Sequence, residues 1–176
     1  EPERFYYYCD LHGMLVMQDH VNNGGYSYLR DTALPGLGKL HIKDKYRITK
    51  KKRKMIFETH MVETQECLYN HPSIIAYTIF NEGWGQFNSD EMYDFAKGID
   101  PTRLYDSTSG WFRRKKSDVE SLHIYFGSWG KLKPGQKPLV LSEFGGYCYG
   151  VEGHLFNPEK AYGYKACKSL PDFNRD

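Results

Sequence analysis

Five short runs of apolar residues, rich in β-branched and aromatic side chains, recur along the chain, and each breaks off on groups that can do chemistry. "MLVMQD", from Met14, ends on Gln18 and Asp19. "SIIAYTIF" runs straight into Asn81 and Glu82, and "TRLYDS" ends on Asp106 and Ser107. "VESLHIY" carries His123 and Tyr125 near its end, and "KPLVLSEF" delivers Ser142 and Glu143. Apolar runs of this length, without alternation, read as strands of a parallel sheet covered by helices. Polar residues at one end of buried strands are costly to desolvate unless that end faces a cleft.

Helical patterns and long crossovers separate the runs. In "PERFYYYCDLHG", Phe5, Tyr8, Cys9 and His12 recur at helical spacing and Gly13 supplies a C-terminal stop. Lys50 to Tyr69 is predicted as a helix with an apolar stripe of Met55, Ile56, Met61, Val62 and Leu68. It ends before "NHP", because the residue preceding a proline is pushed out of the α region. "SDEMYDFAKG" predicts a helix capped by Ser89 and stopped by Gly98. "NPEKAYGYKACKSL" predicts a last one with Pro158 in its first turn. Val21 to Lys45 is rich in Gly, Asn and Pro and reads as a long loop, a length often used for function. The alternation defines an α/β chain. A (β/α)8 TIM barrel builds its active site at the carboxyl ends of its strands, and an open doubly wound sheet also binds ligands there. No Gly-rich phosphate loop follows the first strand, which favours the barrel.

Composition narrows the function classes. A chain of 176 residues fits one domain, here residues 1–176, with 40% hydrophobic and 26% charged residues. Aromatic content is 16%, with 15 tyrosines, and rings with a flat apolar face and a polar tip suit amphipathic ligands as well as packing. A net charge of +2 gives no pull toward nucleic acid or an anionic membrane. The basic run from Lys50 to Lys54 reads as a solvated helix face. No stretch is long and apolar enough to span a bilayer, and "EPERFYYYCD" has no signal-peptide pattern. A soluble, cytoplasmic chain is therefore favoured, with the compartment open. Cys9, Cys67, Cys148 and Cys167 form no C-x-x-C pair and no zinc spacing, so they read as small buried thiols, and neither metal nor cofactor is expected. Met14, Met17, Met55 and Met61 are expected in the core.

Two of the five strands end on glutamates with aromatics close behind: Trp84 and Phe87 after Glu82, Phe144 and Tyr147 after Glu143. A carboxyl pair among aromatic rings is what glycosidic bond cleavage requires. One group donates a proton to the leaving oxygen, and the other attacks or steers water. Each glutamate taken alone reads equally well as a strand-end carboxylate capping a helix or pairing with a lysine.

The motifs themselves resemble a family. "HPSIIAYTIFNEGWGQF" resembles the acid/base segment of glycoside hydrolase family 2, the family of β-galactosidases, β-glucuronidases and β-mannosidases, and "PLVLSEFGGY" resembles its nucleophile segment. "DPTRLYDSTSGW" and "LHIY" fall between them in the family's order, and "PERFYYYCDLHGMLVMQD" resembles the helix leading into the third barrel strand. The resemblance implies a retaining β-glycosidase acting on a carbohydrate substrate. It makes Glu82 the general acid/base and Glu143 the nucleophile. Asn81 matches the amide that bonds the sugar 2-hydroxyl, Tyr125 the tyrosine that bonds the nucleophile, and His123 a neighbour in the same site. Asp19, Asp106 and Trp111 match sugar contacts, and the "GWGQF" loop would bring Trp84 and Gln86 over the substrate. Retention requires carboxyl groups about 5–5.5 Å apart. The negative charge of Glu143 would keep Glu82 protonated until Glu143 is esterified, after which Glu82 serves as base.

Five strands are fewer than a closed eight-stranded barrel needs. By resemblance they are strands three to seven, and the chain is expected to be a fragment of the catalytic domain, weakly active or inactive alone. Two other readings stay open. One is a non-catalytic sugar-binding remnant. The other is a cellulase-type relative, which also places Asn-Glu on strand four and Glu on strand seven. The sugar, the aglycone and the oligomeric state are not specified.

Overall fold

In the computed structural model the described residues are 1–22, 27–29, 33–34, 44, 50–83, 85–110, 112, 114–125, 135–157, 160 and 162–175. The chain divides into two units, the first formed by residues 1–122 and 134–142, the second by 123–133 and 143–176. Most of the loop expected over Val21–Lys45, Pro158, and all three tryptophans lie outside the described residues.

The first unit begins with helix α1 (Glu3–His12), closed by Gly13 in the left-handed conformation at φ 66°. Strand β1 (Val16–Asp19) follows, then helix α2 (Lys51–Leu68), strand β2 (Ile74–Thr78), helix α3 (Ser89–Ile99) and strand β3 (Leu104–Asp106). The three strands pair in parallel in the order β1-β2-β3, with Gln18 opposite Tyr77 and Tyr77 opposite Tyr105. One apolar cluster packs the sheet against its helices. It joins Tyr6 of α1, Phe57, Met61 and Leu68 of α2, Ile74 and Tyr77 of β2, Met92 and Ala96 of α3, and Tyr105 of β3. This is the helix-covered parallel sheet that apolar strands predict. Only β2 is buried nearly throughout, while β1, an outer strand, alternates between partly buried and exposed residues.

Aromatic rings run across this sheet. His20, just past β1, stacks on Tyr77 at 5.2 Å, and Tyr77 stacks on Tyr105 at 5.7 Å. Tyr77 and Tyr105 face each other in the parallel register, close enough for planar side chains to meet, and His20 reaches Tyr77 from two residues beyond its partner Gln18. Burial pushes the Tyr77 hydroxyl up to about 12 and the His20 imidazole down to about 4, because both charged forms would be stripped of water.

Strands β4 (Glu120–Ile124) and β5 (Leu139–Phe144) form a two-stranded sheet whose members pass from the first unit into the second. In the first unit the Glu120 N–H donates to Pro138 O at 2.9 Å, and in the second Gly145 N–H donates to Ile124 O at 3.2 Å. The second unit also holds β6 (Tyr147–Cys148) and β7 (Lys165–Ala166), paired in parallel, and helix α4 (Leu170–Arg175).

Several expectations need correction. The buried face of α1 is Tyr6 and Cys9, while Phe5 and Tyr8 are exposed. The buried face of α2 is Phe57, Met61, Gln65 and Leu68, and Met55 and Ile56 point outward. Tertiary contact selects the face, and both helices carry apolar residues on more than one side. Of the four methionines expected in the core, only Met61 is buried. None of the four cysteines is in a disulfide, and only Cys9 is buried. Helix α3 has Asn88 rather than Ser89 at its N-cap position, without a side-chain cap hydrogen bond, and runs through Gly98 to Ile99. It stops where Asp100 turns its carboxylate back onto the Thr102 N–H at 2.9 Å. The helix predicted over "NPEKAYGYKACKSL" is not formed among its described residues. Residues 165–166 pair with β6, and the helix starts only at Leu170. There Ser169 accepts from the Asp172 N–H and donates to the Asp172 carboxylate at 2.6 Å, a capping arrangement.

Candidate active site

In the first unit, β2 gives way to Ile79 and Phe80, which stay beside the end of β3: Ile79 N–H donates to Asp106 O at 2.8 Å, and Ser109 N–H to Phe80 O at 3.1 Å. The chain then makes a single 3-10 turn, Asn81–Gly83. Glu82 sits there at φ 48°, ψ 23°, a left-handed conformation that costs a non-glycine residue about 1–3 kcal/mol. Two features hold it. The Ser109 hydroxyl accepts from the Glu82 N–H at 3.1 Å and donates to the Asn81 side-chain oxygen at 2.7 Å. Gly83, at φ 68°, lies under the Phe112 ring so closely that a Cβ there would fall 2.5 Å from it. Asn81 and Glu82 are thus presented together, with Glu82 only 7% exposed. Ser109 was not singled out from the sequence, although the serine-rich "DSTSG" stretch was the available signal.

The other first-unit candidates divide by environment. Asp106, at the end of β3, is buried and takes a hydrogen bond from the Ser121 hydroxyl. Asp19, at the end of β1, is exposed. Its carbonyl accepts from Gln18 Nε2 at 2.7 Å, and the Gln18 side-chain oxygen receives the Tyr6 hydroxyl. Gln86 is fully buried, and its amide nitrogen and oxygen both lack a hydrogen-bond partner among the described residues. Trp84 and Trp111 lie outside the described residues.

In the second unit, His123, Tyr125 and Glu143 come together. Strand β4 carries His123 and leads directly into Tyr125, and β5 carries Glu143. The Tyr125 hydroxyl donates to Glu143 Oε2. His123 Nε2 lies 3.5 Å from Glu143 Oε1, with the His123 side chain 1% exposed and that of Glu143 40% exposed. The rings of His123 and Tyr125 meet edge to face at 6.1 Å. One carboxylate oxygen is therefore held by a phenol, an imidazole lies near the other, and one side stays open. A hydrogen bond from the phenol fixes the direction of the carboxylate, which suits a nucleophile.

Strands that carry polar and ionisable residues at their carboxyl ends are the pattern of an α/β protein that binds its ligand there. The chain belongs to the glycosyl hydrolases family 2, TIM barrel domain, whose family model matches residues 1–168. It therefore has the fold of that family's TIM-barrel domain. It is 30% identical over 101 residues to a β-galactosidase of Leuconostoc mesenteroides subsp. mesenteroides, a match covering 49% of this chain and 10% of that protein. Among solved structures it is similar to a GH2 β-galacturonidase from Eisenbergiella tayi bound to galacturonate. That similarity has a TM-score of 0.53 and 21% identity, over 85% of this chain and 28% of the other. An FMN-binding β-glucuronidase from Facaelibacterium prausnitzii L2-6 is similar at a TM-score of 0.45 and 24% identity, over 74% of this chain and 19% of that one. The chain thus spans about a tenth of the curated relative's length. Among the described residues, no helix is long and apolar enough to cross a membrane.

Proposed function

We propose that the chain carries the catalytic centre of a retaining β-glycoside hydrolase, β-galactosidase- or β-glucuronidase-like, with β1 to β5 as barrel strands three to seven. A carbohydrate β-glycoside is its substrate. In the first step a Glu143 carboxylate oxygen attacks the anomeric carbon. The bond to the glycosidic oxygen breaks, and the Glu82 proton passes to that oxygen. In the second step Glu82 takes a proton from water, the resulting hydroxide attacks the anomeric carbon, and Glu143 departs as a carboxylate. Tyr125 and His123 keep the Glu143 oxygens in line for both steps. Asn81 bonds the sugar 2-hydroxyl, and Asp19, Asp106, Trp84, Gln86 and Trp111 belong to the sugar-binding surroundings.

The observation that most supports this reading is the hydrogen bond from Tyr125 to Glu143, a half-exposed carboxylate with an imidazole close to its other oxygen. The test is release of nitrophenol from a panel of aryl β-galactoside, β-glucuronide, β-galacturonide and β-mannoside. Glu143→Gln abolishes release. Glu82→Gln lowers it about 10²- to 10⁴-fold for poor leaving groups and much less for dinitrophenyl glycosides, which depart without a proton. Release that persists unchanged in Glu143→Gln refutes the assignment.

A further inference from the structure

The chain after Tyr125 is not described until residue 135, so what fixes the Tyr125 ring among the described residues is what packs against it. Behind it lies Tyr164, with ring centroids 4.4 Å apart and planes tilted by 32°. This is closer than the 6.1 Å contact with His123. Tyr164 is 45% exposed, so burial alone does not account for its placement. Its backbone does. The Tyr164 N–H donates to Gly146 O at 2.7 Å, and the next two residues pair with β6 as β7.

Two glycines make room for that arrangement. Gly146, at φ 73°, lies beneath the Tyr164 ring, and a Cβ on it would fall 2.4 Å from Tyr164 Cδ2. Gly163 sits against Cys148 and the Gly146 carbonyl, where a Cβ would come within 2.9 Å of each. "FGGY" and "YGY" thus form one device: the glycine after the nucleophile strand leaves the space, and the β6–β7 pairing delivers a ring into it.

We propose that Tyr164 is a positioning residue for the Glu143 centre: its ring braces Tyr125 so that the Tyr125 hydroxyl stays on Glu143 Oε2. The proposal rests on the reading of Glu143 as nucleophile, and Tyr164 itself touches neither Glu143 nor the reacting atoms in the role assigned. The ring carries this role, and its hydroxyl does not.

Two measurements on the intact chain test it. The first needs no turnover. With tyrosines labelled with carbon-13 at Cζ, the Tyr125 resonance is assigned by its loss in Tyr125→Phe, and its position without the hydrogen bond is read in Glu143→Ala. Tyr164→Ala moves the resonance toward that second position, and Tyr164→Phe leaves it in place. The second is covalent labelling by 2,4-dinitrophenyl 2-deoxy-2-fluoro-β-galactoside or the matching glucuronide, in which dinitrophenolate leaves as Glu143 forms the ester. Tyr164→Ala lowers the limiting labelling rate about 10- to 100-fold, the scale of a small misplacement of a reacting group. The inhibitor's half-saturating concentration stays within about twofold, and Tyr164→Phe restores the rate. Should Tyr164→Ala unfold, Tyr164→Leu and Gly146→Ala carry the same expectation. An unmoved Tyr125 resonance in Tyr164→Ala, or a phenylalanine variant as defective as the alanine one, overturns the proposal. A wild-type chain that takes no label counts against catalysis by Glu143 in this chain alone, while the resonance comparison still decides the positioning.

Discussion

Glu82 occupies a backbone conformation that glycine adopts freely and a glutamate does not. A site that keeps a strained residue accepts a stability cost at that position. Glu82→Gly is accordingly expected to be at least as stable as the wild type in urea titration, by up to about 1 kcal/mol, while losing the carboxyl we propose as proton donor. Ser109→Ala is expected to cost about 1–2 kcal/mol in the same titration, since it strips partners from the Glu82 N–H and the Asn81 amide. His20 sets a separate pH dependence. Burial lowers its pKa to about 4, so between about 6.5 and 4 the unfolded chain binds a proton that the folded chain does not. Stability therefore falls as pH drops through that window. His20→Phe, which keeps a planar ring against Tyr77, is expected to reduce the loss between pH 7 and pH 4.5 by about 2–3 kcal/mol in urea melts at the two pH values.

At the scale of elements, α3 is tied to the sheet by one carboxylate. Asp118 accepts from Lys97 Nζ at 2.8 Å, from the Tyr93 hydroxyl at 2.7 Å and from the Tyr105 N–H at 2.8 Å. Burial pushes its carboxyl up, but these hydrogen bonds outweigh that and hold it below the ordinary range. Its contribution is complete above that range and is lost as pH falls through the depressed value. Asp118→Asn is expected to destabilise by about 2–3 kcal/mol at pH 7, with the gap to wild type narrowing at pH 3 in chemical denaturation. Nothing marked Asp118 in advance, because its partners come from two elements, α3 and β3, that only the fold brings together. The same limit explains the last helix. Local pattern in "NPEKAYGYKACKSL" favours helix, yet Lys165 and Ala166 are claimed by pairing with β6. The cap at Ser169 was legible as Ser-x-x-Asp and went unread. By contrast β1 to β5 were legible, since apolar runs between turn residues leave few alternatives. Gly13 and the proline after Tyr69 marked helix ends by local sterics alone.

For the whole molecule, what could be read in advance was the order of motifs along the chain, and family membership over residues 1–168 agrees with it. The grouping of His123, Tyr125 and Glu143 followed from their places at the ends of β4 and β5. Ser109 and Tyr164 did not, because each acts through another residue rather than by its own chemistry. The account's central claim is that Glu143 forms a covalent bond to sugar. The most direct measurement incubates the chain with a 2,4-dinitrophenyl 2-deoxy-2-fluoro-β-glycoside and maps the adduct by peptide mass spectrometry. The account predicts one fluorosugar on the peptide containing Glu143, absent in Glu143→Gln and formed with release of dinitrophenolate. Reversible sugar binding with no adduct, or an adduct on another residue, would contradict it.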